Sequence, residues 1–182
     1  PYYIGSLRFK TRTGKDPFET RTRSQIDEIS FPGLQLELPR GSGFYGIQPA
    51  LTVLLPSDPA VLFGTVSYLH SIKRDDVVQL TDGEPIPLGT VKPGGVFGFN
   101  FGMGLALNEK SSFSIGYDHA TIGKTRVGGV PAVDAVRVQL GTLLLGYSYR
   151  VDAKQTVNVS LGVGATRDTP DVTLTVRVPM TF

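Results

Sequence analysis

Three cationic side chains near the start of the chain, Arg8, Lys10 and Arg12, are spaced two residues apart. In a β-strand this spacing places all three on one face. With Arg177, close to the other end of the chain, they would form a cationic stripe, and rings of Lys or Arg select for anions in pores. The spacing therefore predicts pore-lining residues with a preference for anions. Two alternatives stay open: an interior network of mutually neutralised charges, and a charged rim in water.

Three polar residues, Asn100, Asp118 and Asn158, are the other candidates for lining a pore. Asn100 and Asn158 alternate with apolar residues and share their strand face with small residues such as Gly102 and Gly162. Barrels of eight strands are normally filled by side chains, whereas wider barrels hold water. Small inward-facing residues therefore favour a wide barrel, although glycines equally serve strand bending.

Residue types for catalysis and metal binding are scarce. The chain has no Cys and two His, so it has no thiolate metal site and no cysteine nucleophile. Asp118 adjoins His119, but neighbours in a strand point to opposite faces, which argues against a catalytic pair. The net charge of +2 over 182 residues does not suggest nucleic-acid binding. We expect a protein that is not an enzyme, with no cofactor, no metal and no nucleic-acid partner.

Eight stretches of two-residue alternation position these side chains. They cover residues 3–12, 44–55, 60–72, 97–107, 113–118, 136–151, 157–165 and 172–182. In the clearest one, Phe97, Phe99 and Phe101 alternate with Gly98 and Asn100, as expected for a strand with one apolar face. In the sixth stretch the apolar phase changes near Gly141, which predicts a β-bulge.

The hydropathy of the chain excludes a membrane-spanning helix, because no apolar run approaches the roughly 20 residues that such a helix needs. Strands of membrane barrels alternate between lipid and lumen, so the mean hydropathy of +0.02 fits a barrel. It equally fits a soluble β-sandwich or lipocalin-like domain.

The connections between the eight stretches alternate in length. Short turns lie at residues 56–59, 108–111 and 151–154, and long links lie near 13–43, 73–94 and 120–134. Outer-membrane barrels have short periplasmic turns and long extracellular loops, so this alternation predicts that all three long links lie outside. The first of them contains apolar residues, and it either folds inward as a constriction or stays outside as a loop.

The last stretch, residues 172–182, is apolar at every second position and ends on Phe182. It resembles the C-terminal signature of bacterial outer-membrane β-barrels. The resemblance implies that Phe182 is part of an assembly signal read by the outer-membrane insertion machinery. The chain begins at Pro1 without a signal peptide, and we expect it to be the C-terminal part of a longer protein.

A second resemblance rests on Leu38, Pro39, Arg40, Gly41, Ser42 and Gly43, which precede a strand, and on Pro56 to Ala60 after it. This segment is similar to one in the outer-membrane proteins linked to the meta pathway of phenol degradation, and more broadly to channels that export amyloid subunits. The resemblance implies about twelve strands in the intact barrel and a homotrimer. It offers no catalytic residue.

Together these observations predict an all-β protein: one antiparallel transmembrane β-barrel domain over residues 1–182, with about eight of its strands present, in the bacterial outer membrane. Its partners would be membrane lipid and a transported solute. We expect a porin-like channel for small solutes. The alternatives are a secretion channel for an unfolded polypeptide and a small closed barrel with an adhesive or structural role.

Overall fold

A computed structural model describes residues 1–14, 16–18, 22–23, 34–35, 41–81, 84–132, 135–152 and 154–179. These residues form strands, turns and links, as predicted for an all-β chain. No helix in this part of the chain is long and apolar enough to cross a membrane. The predicted assembly signal at Phe182 lies outside the described residues.

Strands alternate with turns and links along the described part of the chain. The strands are β1 (Tyr2–Lys10), β2 (Thr22–Arg23), β3 (Leu34–Gln35), β4 (Gly46–Ser57), β5 (Ala60–Ser71), β6 (Arg74–Thr81), β7 (Glu84–Lys92), β8 (Val96–Ala106), β9 (Ser111–Ile122), β10 (Arg126–Val127), β11 (Val130–Pro131), β12 (Val138–Arg150), β13 (Thr156–Gly164) and β14 (Val172–Arg177).

Eight of these strands form one large antiparallel sheet, in the order β1-β4-β5-β8-β9-β12-β13-β14. They coincide with the eight stretches of alternation, so each strand pairs with the next such stretch along the chain. The register between β9 and β12 runs without interruption from Val138 opposite Ile122 to Tyr149 opposite Ser111. The predicted bulge near Gly141 is therefore wrong; the apolar phase changes there because Leu140 lies on the other face of the sheet.

The register places apolar side chains of all eight strands on a single face, which we call the apolar face. One row across it contains Leu51, Val66, Phe99 and His119, and another contains Leu145, Leu161 and Leu174. Side chains on this face are open to the surroundings: Phe101 is 55% exposed and Leu174 is 66% exposed. The eight strands thus present apolar residues outward and do not bury them.

The buried apolar residues of the described chain lie elsewhere, in a second sheet. This sheet has the order β11-β10-β7-β6-β2-β3. Val77 of β6 and Val91 of β7 are buried with Phe44, and Phe18, Leu88 and Val127 pack against them. A conventional hydrophobic core therefore exists only in this small sheet within the described ranges.

The second sheet is built from the links that were expected to be long polar loops. Residues 73–94 contain the β6–β7 hairpin, and residues 120–134 contain the end of β9 and the β10–β11 hairpin. The hairpin β6–β7 has an irregular register between Arg74 and Val78, where Asp76 adopts a φ of 54°. The short connections lie at the other end of the large sheet, where Asn108 and Asp152 accept backbone N–H bonds of 2.7–2.9 Å within their own turns.

The large sheet has two open edges in the described structure. There β1 pairs with β4 alone, and β14 pairs with β13 alone. The expected closure into a barrel is therefore not seen among these residues. The sheet is an eight-stranded antiparallel arc whose edge strands each leave one row of backbone donors and acceptors without a neighbouring strand.

Candidate functional site: the polar face of the large sheet

The face opposite the apolar face carries most of the predicted pore-lining residues, and we call it the polar face. Strand register assigns six of the seven to it: Arg8, Lys10, Asn100, Asp118, Asn158 and Arg177. Their side chains alternate with those of the apolar face because the strand repeat is two residues. The sequence pattern thus placed these six on a common surface.

The seventh candidate, Arg12, lies beyond the end of β1. Its guanidinium carbon is 6.0 Å from the ring centroid of Tyr45, within the range of a cation–π contact. The backbone leaves the strand after Lys10, so the two-residue spacing no longer determines where Arg12 points.

The cations of the polar face are divided between its two ends. Arg8 lies opposite Gln48 and Lys10 opposite Gly46, at the end that carries the long links. Arg177 lies opposite Asn158 at the end of the short turns, where Arg150 also lies. The expected stripe that joins Arg177 to Arg8 is thus replaced by two separate positive zones.

Between these zones the polar face carries small and polar side chains together with Leu54, Phe63 and Leu144. Asn100 lies directly opposite Asp118. The hydroxyls of Thr52 and Thr65 are 2.9 Å apart, and the Ser148 hydroxyl donates a 2.5 Å hydrogen bond to the Asn158 amide oxygen.

One residue of the polar face was missed by sequence reasoning. Phe63 lies in β5 opposite Gly102, and its ring covers Gly102 and the next strand's Gly116. A Cβ at Gly102 would lie 2.6 Å from the Phe63 Cζ, so the ring occupies the space that a side chain at residue 102 would take. The phase of β5 is ambiguous in the sequence, because Leu62 and Phe63 are adjacent apolar residues. The feature of the sequence that could have indicated the position of Phe63 is the pair of glycines across from it, Gly102 and Gly116.

The described part of the first long link is fixed to the second sheet by a buried carboxylate. Asp16 is 1% exposed, and its Oδ2 accepts a 2.5 Å charged hydrogen bond from Arg74 Nη1. Its Oδ1 accepts from the Phe18 backbone at 2.9 Å, and the Phe18 ring meets Phe44 edge-on at 5.8 Å. These contacts hold residues 16–18 against β6. Most of residues 19–40 lies outside the described ranges. Whether this link folds inward as a constriction therefore stays a prediction.

The two histidines belong to the apolar face. His119 stacks with Phe99 at 5.2 Å, and its Nδ1 is 3.1 Å from the Tyr117 hydroxyl. Asp118 points to the polar face, so the two neighbours do not meet. Among the described residues, no group of three or more His, Asp or Glu side chains is placed to hold a metal ion.

No family model matches this chain. Its fold is similar to the crystal structure of an outer membrane channel from Pseudomonas putida F1, with a TM-score of 0.66 and 13% sequence identity over 99% of this chain. The match shows a shared fold. The chain spans 60% of the length of that channel, and the more specific resemblance to the phenol-degradation proteins stays a prediction.

Proposed function

We propose that this chain forms part of a channel that passes small solutes across the bacterial outer membrane. The observation that carries the proposal is the exposed apolar face, which runs across eight strands with the polar face behind it. In water such a face would cost free energy in proportion to its area. Against acyl chains it is the stable arrangement.

The open edges of the sheet are also explained by a membrane environment. In hydrocarbon every backbone N–H and C=O group needs a partner within the protein, so a membrane sheet must close. We propose that further strands pair with β1 and β14 and complete a barrel of about twelve strands. The eight strands found here over 60% of the length of the structural neighbour support this number.

The polar face would then line the lumen. The small residues of β8 and β13 leave room for water, as expected for barrels wider than eight strands. The described lumen side carries Arg8, Lys10, Arg150 and Arg177 against Asp118. An excess of positive charge at both ends favours entry of anions, and we propose small anionic solutes as the class transported.

Planar-bilayer recordings test both parts of this proposal. Purified protein should need detergent and should conduct, and the reversal potential in a salt gradient should report anion preference. Arg8→Gln with Lys10→Gln should reduce that preference, whereas the charge-retaining pair Arg8→Lys with Lys10→Arg should not. A protein that stays soluble and monodisperse without detergent would end the channel proposal. Unchanged ion selectivity in the Gln pair would end the anion assignment.

Two partners belong to this proposal. The sequence from β14 to Phe182 would be recognised by the outer-membrane insertion machinery, and a Phe182 deletion should lower the amount of assembled protein in cells. The homotrimer implied by the family resemblance would appear in the mass of the detergent-solubilised complex. Normal assembly without Phe182, or a monomer mass, would contradict these two points respectively.

A further inference from the structure

A cavity of about 370 Å³ lies where the large sheet meets the second sheet. Its walls come from the end of β5, from the links at 93–95 and 123–124, from Arg126 and Pro131 of the second sheet, and from Arg137 before β12. The site lies at the long-link end of the large sheet. It shares no residue with the predicted pore-lining set.

The charged side chains that line this cavity are all cationic. Lys92, Lys124, Arg126 and Arg137 line it together with His70, and none of the described lining residues is acidic. The ion pairs found in the described part of the chain involve Lys73 and Arg74, and none reaches these four cations. Four exposed like charges around one space repel each other, so the cavity is electrostatically suited to an anion.

Of the β5 side chains that line this cavity, Ser71 lies on the polar face and two others lie on the apolar face. Tyr68 and His70 point to that face, because Tyr68 lies opposite Phe97 and His70 opposite Ile47. A Cβ at Gly95 would lie 2.5 Å from the Tyr68 hydroxyl, so the tyrosine ring reaches up to the rim of the cavity. The cations therefore share the cavity with two aromatic side chains of the apolar face.

Glycines allow the two links at this rim to come into contact. The Gly123 N–H donates to the Gly95 carbonyl at 2.9 Å, and a Cβ at Gly94 would lie 1.9 Å from the Gly123 carbonyl oxygen. The lack of a side chain at Gly94 thus lets the two backbones approach closely. The two links are held together while the cationic side chains project around them.

We infer that this cavity binds a phosphate group, and that its occupant in the membrane is the phosphorylated headgroup of a lipid. A phosphomonoester carries a charge of about −1.5 to −2 and three strong acceptor oxygens. Arginine binds phosphate through two parallel hydrogen bonds, and lysine binds it as a point charge. The four cations supply both modes.

The position beside Tyr68 favours a lipid over a free phosphate. Tyrosine lies at membrane boundaries because its ring is apolar and its hydroxyl is polar, and basic clusters next to a membrane surface attract anionic headgroups. A lipid in this cavity would keep its acyl chains along the apolar face below. The inference rests on the proposed function, since it needs that face to be in a bilayer.

Binding of phosphatidic acid tests this inference on the purified protein in zwitterionic detergent micelles. Phosphatidic acid, which carries a phosphomonoester, should raise the unfolding temperature, and phosphatidylcholine at the same mole fraction should not. Lys124→Gln with Arg126→Gln should weaken the apparent affinity about tenfold or more, as expected for the loss of two charge-assisted hydrogen bonds. The matched control is Lys110→Gln with Lys154→Gln, which removes the same charge at the short turns and should leave the affinity unchanged.

The other outcomes overturn the inference in distinct ways. Equal weakening by both double variants would mean general attraction to charge, and equal protection by inorganic phosphate would mean a free-anion site. If the first double variant fails to unfold cooperatively in phosphatidylcholine micelles, Arg137→Gln takes its place with the same expectation. Conductance of the same preparations separates the two proposals. A protein that conducts but does not bind phosphatidic acid contradicts only the lipid site. A protein that binds phosphatidic acid but does not conduct contradicts only the channel proposal.

Discussion

Single glycines on the polar face differ in the space that they leave. Gly102 and Gly104 occupy equivalent positions in the alternation of β8. A Cβ at Gly102 would lie 2.6 Å from the Ile115 carbonyl oxygen, whereas a Cβ at Gly104 would have no atom within 4 Å. Gly104 is therefore the position where a large side chain enters the proposed lumen without displacing the backbone.

This difference gives a test of which face meets lipid. Phe101→Arg places a charge on the apolar face and should lower the free energy of unfolding in lipid vesicles by about 2–4 kcal/mol, as found for Arg at the middle of a bilayer. Gly104→Arg should cost less and should alter single-channel conductance. Phe101→Leu controls for loss of the ring. Equal losses of stability at 101 and 104 would contradict the assignment of the two faces.

A second test at this scale concerns Phe63. Its ring lies on the polar face over Gly102 and Gly116, so Phe63→Ala should widen the proposed lumen and raise single-channel conductance. Phe97→Ala removes the same ring from the apolar face and should leave conductance unchanged. Conductance that responds alike to both changes would show that Phe63 does not limit the channel.

Among the elements, the second sheet depends on the pair formed by Asp16 and Arg74. Breaking a buried ion pair by removing one partner costs about 3–5 kcal/mol, and the Arg74 side chain is 19% exposed, which points to the lower end of that range. Asp16→Asn should therefore release residues 16–18 from β6. Faster protease cleavage in the long links, with unchanged far-ultraviolet circular dichroism of the large sheet, is the expected result. Cleavage rates equal to those of the unmodified protein would contradict it.

Asp75 provides the matched control in the same hairpin. Hydrogen bonds from Thr90 and Lys73 lower the pKa of this exposed carboxyl below its ordinary value of 3.8. Its contribution to stability is therefore present above that value and is lost as the pH falls through the lowered pKa. Asp75→Asn should have a smaller effect than Asp16→Asn on link cleavage at pH 7. The difference in free energy of unfolding between Asp75→Asn and the unmodified protein should disappear as the pH is lowered into the acid range. A difference that stays constant with pH would contradict hydrogen bonding as the cause of the lowered pKa.

For the whole molecule, the open edges are the feature that matters most. If further strands close the barrel, the backbone amides of β1 and β14 that lack partners here become hydrogen-bonded in the membrane. Hydrogen–deuterium exchange of the full protein in lipid should then be as slow in β1 and β14 as in β8 and β9. Rapid exchange along either edge strand would show that the sheet stays open there.

The sequence by itself determined the connection order of the large sheet and most of its strand phases, but not the phase of β5 or of β12 near Gly141. The two-residue repeat is a local property, so the apolar face of β8, β13 and β14 was predicted from alternation alone, and six of seven pore-lining candidates were assigned to a common face. Alternation does not assign Arg12 to a face, because it holds only while the backbone stays extended and β1 ends at Lys10.

Only the tertiary structure decided what is set by pairing between distant segments. The separation of Arg177 from Arg8 depends on how far each lies along its strand relative to the whole sheet. The second sheet unites residues of several links through long-range pairs that no single link specifies. The cationic cavity likewise combines Lys92 at the end of β7 with Lys124 before β10 and Arg137 before β12. Periodicity fixes which way a side chain points, but strand register and the docking of links determine what it meets.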